Sequence, residues 1–92
     1  MSKVPHILFV DDELLLQKVF DRLVTRNNMK VTCTSSALQA VEHLKNEDFD
    51  LVVTDFMMPD MDGLELLAHI RQEYPDLGVI MITAHASVQH AV

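Results

Sequence analysis

The 92-residue sequence has no tryptophan, one tyrosine, one cysteine, two glycines and three prolines. A lone cysteine, Cys33, excludes an intramolecular disulfide and makes a reducing cytosol the simplest home. Gly63 and Gly78 are too few and too far apart for a P-loop or a dinucleotide fingerprint. Basic residues are scarce as well: 7 Lys and Arg stand against 14 Asp and Glu, a net charge of −7. That balance argues against a direct grip on nucleic acid or an anionic membrane, and favours a cation or a partner with a basic surface. Long hydrophobic runs are missing, so no segment approaches a membrane span. The opening Met-Ser-Lys-Val-Pro-His leads into Ile7-Leu8-Phe9-Val10 without a signal-peptide core. A soluble, cytoplasmic chain is expected.

What is present is apolar material for a core. The chain is 49% hydrophobic with a mean hydropathy of +0.15, and its length fits one small domain over residues 1–92. The apolar runs Ile7–Val10, Leu51–Val53 and Val79–Ile82 are short and continuous, as in strands covered on both faces of a parallel sheet. Lys30–Thr34 alternates polar and apolar residues, as an edge strand does. Between these runs the pattern turns helical. Leu15, Val19 and Leu23, with Leu16, Phe20 and Val24, repeat at helical spacing after Asp11-Asp12-Glu13. Ser36 with Gln39 reads as a capping box for a helix carrying Ala37, Val41 and Leu44. Asp62-Gly63-Leu64-Glu65 starts a further helix with Leu66, Leu67 and Ile70, which Tyr74-Pro75 stops. His85 to Val92 begins another. The order β-α-β-α-β-α-β-(α) predicts an α/β, doubly wound parallel sheet, with Val79–Ile82 at an unprotected edge.

In such a sheet, functional residues gather at the carboxyl ends of the strands, near the point where strand order reverses. Asp11 and Asp12 follow the first strand, Asp55 ends the third and Thr83 ends the fourth, so all four are expected at one crevice. Carboxylates there repel: at ~4 Å and an effective dielectric near 20, a pair costs on the order of 4 kcal/mol before screening. Either a proton or a divalent cation relieves that repulsion. A small set of hard oxygen ligands suits Mg²⁺ better than a calcium cage.

Phe9-Val10-Asp11-Asp12-Glu13, Asp55-Phe56-Met57-Met58-Pro59-Asp60-Met61-Asp62-Gly63 and Ile82-Thr83-Ala84 together resemble the receiver domain of two-component response regulators, the CheY-like, flavodoxin-like family. The resemblance covers the whole chain in order and spacing. It implies Asp55 as phospho-acceptor, and Mg²⁺ or Mn²⁺ on Asp11, Asp12, Asp55 and the backbone carbonyl of Met57. It also implies that Thr83 hydrogen-bonds a phosphoryl oxygen and moves on switching, and that Pro59 and Gly63 shape the loop. The implied donor is a sensor histidine kinase or a phosphotransfer protein, with no direct nucleic-acid or membrane partner. Such a domain accepts a phosphoryl group and promotes its own phosphotransfer; it is not an enzyme that turns over a substrate. The ending Thr83-Ala84-His85-Ala86-Ser87 is similar to receivers attached to transcriptional activators.

In the family, a fifth strand supplies a lysine to the phosphate and an aromatic switch residue, and a last helix follows. This sequence ends at Val92, inside the expected fourth helix, and Lys3, Lys18, Lys30 and Lys45 flank other elements. An incomplete receiver with a bared sheet edge is therefore expected to form a homodimer or a larger self-associated species. An interaction or dimerisation module that is not phosphorylated is the alternative reading.

The remaining signals have plainer readings. Asp11-Asp12-Glu13 alone suits a helix N-terminus, where negative charge is favoured. A calcium loop at Asp60-Met61-Asp62-Gly63 is excluded, because Met58 and Pro59 take its opening positions and His69 the place of its bidentate Glu. Met57 stands where aspartyl-phosphate phosphatases need a second aspartate. The histidines lack metal-ligand spacing and read as surface or packing residues, with His85 also near enough to tune dephosphorylation. Cys33 reads as a small packing residue.

Overall fold

The computed structural model describes residues 4–56 and 62–82. Within them the chain runs β1 (His6–Val10), α1 (Leu14–Arg26), β2 (Lys30–Thr34), α2 (Ala37–Asn46), β3 (Leu51–Asp55), α3 (Gly63–Glu73) and β4 (Gly78–Ile82). The expected final helix and Thr83 lie outside the described residues. The strands form one parallel sheet in the order β2-β1-β3-β4. Strand order reverses between β1 and β3, so their carboxyl ends flank the crevice where the two directions of winding part.

The central strand explains why the apolar runs are continuous. All five residues of β1 are buried. Leu8 and Val10 join Ala37, Ala40, Leu44, Val52, Leu66 and Ile70 in a core under α2 and α3. Ile7 and Phe9 point the other way and pack with Val24 and Val53, joined by Leu16 and Phe20 of α1. Phe9 and Phe20 stack with ring centroids 4.3 Å apart. A strand buried on both faces has no polar side to alternate with. β2 and β4 lie at the sheet's edges, as their expected places require.

Local chemistry fixes the helix ends. The side chain of Ser36 accepts a hydrogen bond from the Gln39 N–H at 3.0 Å, giving α2 its cap. The reciprocal half expected from Gln39 is redirected: its Oε1 accepts from the Thr34 hydroxyl at 2.7 Å. At α3 the box is complete, with Asp62 accepting from the Glu65 N–H and Glu65 accepting from the Asp62 N–H. α1 ends in a Schellman turn. The Met29 N–H donates to the Val24 carbonyl and the Asn28 N–H to that of Thr25, with Asn28 at φ 62°. Asparagine tolerates that left-handed conformation better than most side chains.

Two packing residues behave as expected. His6 is buried at the far end of the sheet from the crevice, with Nε2 2.7 Å from the Thr32 hydroxyl and Nδ1 3.2 Å from the Asp48 carbonyl. Burial pushes the Cys33 thiol up, with the Asp21 charge adding to the effect, so Cys33 stays a protonated packing group. One result departs from the periodicity: Leu15, Val19 and Leu23 are exposed, and among α1's residues only Val24 is fully buried.

Candidate functional site

The crevice is built from strand ends. β1 delivers Asp11 one residue after its last position, and the Asp11 N–H donates to the Thr34 carbonyl at 3.0 Å, which ties it to the end of β2. Asp11 is fully buried. Its Oδ1 accepts from the Glu13 N–H at 2.9 Å, and its carbonyl accepts from Gln17 Nε2 at 2.6 Å. Asp12 is exposed at the rim. Asp55 closes β3 and is buried, held in register by the adjacent Phe56 N–H donating to the Ile82 carbonyl at 2.9 Å.

Asp11, Asp12 and Asp55 each offer an oxygen, and these three oxygens lie within 4.8 Å of one another. Segments more than forty residues apart in sequence thus meet at one point. Asp11 Oδ2 is buried with no hydrogen-bond partner among the described residues. Burial raises the pKa of the Asp11 carboxyl. The Glu13 N–H opposes that rise, and the charges of Asp55, Asp12 and Glu13 add to it. A buried carboxylate oxygen without a donor, facing two like charges, is a ligand set that suits a hard divalent cation. The residues present therefore fit such an ion.

Gly63 sits against this site. Its N–H donates to the Phe56 carbonyl at 2.7 Å, which folds the start of α3 onto the end of β3. A Cβ added there would stand 2.6 Å from the Asp55 carbonyl oxygen and 2.9 Å from the Phe56 Cα. Both are backbone atoms, so no side-chain rotation relieves the clash. Met57, Pro59 and Thr83 fall outside the described residues, as does His85. Gln17 is a residue the sequence did not single out. Its signal was its place six positions after Asp11, in the first turn of α1.

The family model of the response regulator receiver domain matches residues 7–92. The chain belongs to the response regulator receiver family. It is 38% identical over 87 residues to the DNA-binding transcriptional regulator NtrC of Proteus hauseri, covering 95% of this chain and 18% of that protein. It is also 38% identical over 93 residues to the transcriptional regulatory protein GlrR of Escherichia coli K12, covering 100% of this chain and 21% of that one. The chain thus spans about a fifth of the length of these relatives. Among solved structures, it resembles the signal receiver domain of an HD domain-containing protein from Pseudomonas fluorescens Pf-5 (TM-score 0.87, 29% identity, 97% of this chain and 65% of that one). The CheY-like receiver domain protein from Methanospirillum hungatei JF-1 is as similar (TM-score 0.87, 28% identity, 97% and 71%). The four-stranded parallel sheet is the one expected from the sequence, and of the four residues expected at its crevice Asp11, Asp12 and Asp55 lie together. No helix of the described residues is long and apolar enough to cross a membrane.

Proposed function

We propose that this receiver accepts a phosphoryl group on Asp55 from the phosphohistidine of a sensor kinase or phosphotransfer protein, in the cytoplasm. The observation that carries the reading is the meeting of Asp11, Asp12 and Asp55 around a buried oxygen of Asp11 that has no donor among the described residues. A carboxylate oxygen of Asp55 attacks phosphorus, the new P–O bond forms, and the P–N bond breaks with its electron pair returning to the donor imidazole. The product is an acyl phosphate on Asp55.

Asp11, Asp12, Asp55 and the Met57 carbonyl would hold Mg²⁺ or Mn²⁺, with water filling the remaining positions. When bound, the ion offsets the repulsion between the carboxylate and the incoming phosphoryl oxygens. Asp11 and Asp55 are pre-positioned by strand hydrogen bonds, so neither has to be ordered during the reaction. Thr83 is the proposed hydrogen-bond donor to the phosphoryl group, and Pro59 with Gly63 shapes the intervening loop. About −2 of new charge beside Thr83 would bias a two-state arrangement. The domain carries no direct nucleic-acid or membrane contact in this reading, and copies of it self-associate.

Titration with acetyl phosphate, or with beryllofluoride, in the presence of Mg²⁺ tests the assignment by intact mass and by spectral shift. The parent should form one adduct and Asp55→Asn none. An unmodified parent under conditions where it is folded overturns it.

A further inference from the structure

The turn by which the chain enters α1 is held at two points beside the acidic crevice. Glu13 precedes the helix, and its side chain makes no capping hydrogen bond. The turn is instead fixed from both sides of Asp12. On one side, Gln17 Nε2 donates to the Asp11 carbonyl at 2.6 Å, reaching back six positions over the first turn. On the other, the Glu13 N–H donates to Asp11 Oδ1 at 2.9 Å. Those two groups belong to the peptide units that precede and follow the Asp12 Cα. A peptide unit is planar, so holding one on each side sets the direction in which the Asp12 side chain leaves the backbone.

Asp12 depends on such aiming more than its neighbours do. Asp11 and Asp55 are buried at strand ends, whereas Asp12 is exposed. An exposed carboxylate takes its position from the backbone that carries it, and has several staggered rotamers open to it. One oxygen of Asp12 nevertheless lies within 4.8 Å of one from Asp11 and one from Asp55. Gln17 is itself anchored: its N–H donates to the Glu13 carbonyl at 3.2 Å, and its carbonyl accepts from the Cys33 thiol at 3.8 Å. Its amide is also neutral. A lysine or arginine could donate to the same carbonyl, but would bring positive charge to a crevice that suits a cation through its negative charge.

We propose that Gln17 is a positioning residue of the cation site, aiming the Asp12 carboxylate through the Asp11 carbonyl so that the site selects Mg²⁺ over Ca²⁺. That role rests on the reading of the crevice as a cation site, and adds to it the source of its selectivity. Mg²⁺ demands near-ideal octahedral geometry with short bonds, whereas Ca²⁺ accepts longer and irregular ones. Releasing Asp12 therefore weakens Mg²⁺ more than Ca²⁺. Groups that orient a ligand are typically worth ~10–100-fold in metal affinity. Gln17 acts through the backbone, so about tenfold is expected for Mg²⁺ and roughly threefold or less for Ca²⁺.

Affinity is measured on this chain without a phosphodonor, from the loss of the free Mn²⁺ electron paramagnetic resonance signal and its recovery on adding Mg²⁺ or Ca²⁺. Gln17→Met keeps the length of the side chain and removes the donor. Shown folded by circular dichroism, it should lose about tenfold in Mg²⁺ affinity and so lower the ratio of Mg²⁺ to Ca²⁺ affinity. Gln17→Arg restores a donor and adds a charge, so both affinities should fall together and the ratio should stay with the parent's. A Gln17→Met chain that keeps the parent's ratio, whatever its urea midpoint, makes Gln17 a structural brace alone; that overturns the inference and leaves the cation site standing. A Gln17→Arg chain whose ratio falls as far as that of Gln17→Met overturns it too. A parent that never depletes the Mn²⁺ signal removes the cation site itself, and the role of Gln17 with it.

Discussion

Asp11 shows how a single residue links burial, charge and metal affinity. Its carboxyl has a raised pKa in the folded state, so in the window between the ordinary carboxylate value and that raised value the folded chain holds a proton the unfolded chain has released. Stability therefore falls as pH rises through that window, and above it the penalty of the buried charge is present in full. Asp11→Asn removes the charge while keeping an acceptor for the Glu13 N–H. Urea unfolding without divalent ions should show the variant more stable than the parent by roughly 1 kcal/mol or more, with a flatter pH dependence. Gly63 illustrates the opposite constraint, since its role is to have no side chain. Gly63→Ala should lower stability by about 1–3 kcal/mol, read as a reduced urea midpoint, because backbone at Asp55 and Phe56 must move.

At the scale of elements, the ends of strands and helices decide what the crevice looks like. β1 and β3 pair in register from Ile7 with Leu51 to Val10 with Thr54, so the residues that follow arrive at the same height. α3 must begin where the loop after β3 returns, and its capping box marks that point. Asp62→Ala should cost about 1 kcal/mol and speed amide exchange in the first turn of α3, leaving β1 and β3 exchange unchanged. The elements themselves were legible in the sequence, because continuous apolar runs and helical spacing differ in period. The Ser36 box was legible only in half, because Thr34 lies close enough to take the Gln39 side chain. Nor could spacing separate the buried Val24 and the partly buried Leu16 and Phe20 from the exposed Leu15, Val19 and Leu23. Period states which residues share a flank, but burial depends on what lies opposite.

For the whole molecule, the sheet is a scaffold that concentrates negative charge at one rim, and a bound cation should stabilise the fold by linkage. Mg²⁺ at ~100 times its dissociation constant should add about 2.7 kcal/mol, seen as a raised Tm that a chelator reverses. Asp55→Asn should lose most of that increment. A Tm indifferent to Mg²⁺ at every concentration would count against the ligand set.

The sequence by itself determined the parallel α/β order, because β1 and β3, buried on both faces, read as unbroken apolar runs, although the equally apolar β4 lies half-exposed at the edge. It also determined which acidic residues end strands, since Asp11 stands directly after one such run and Asp55 two positions after another. The tertiary structure decided the rest. Register placed the Asp11, Asp12 and Asp55 oxygens within 4.8 Å of one another, and backbone packing left one Asp11 oxygen without a donor among the described residues. The same packing left one flank of α1 exposed. Those outcomes depend on distances between segments remote in sequence, which residue order encodes only through the fold it produces.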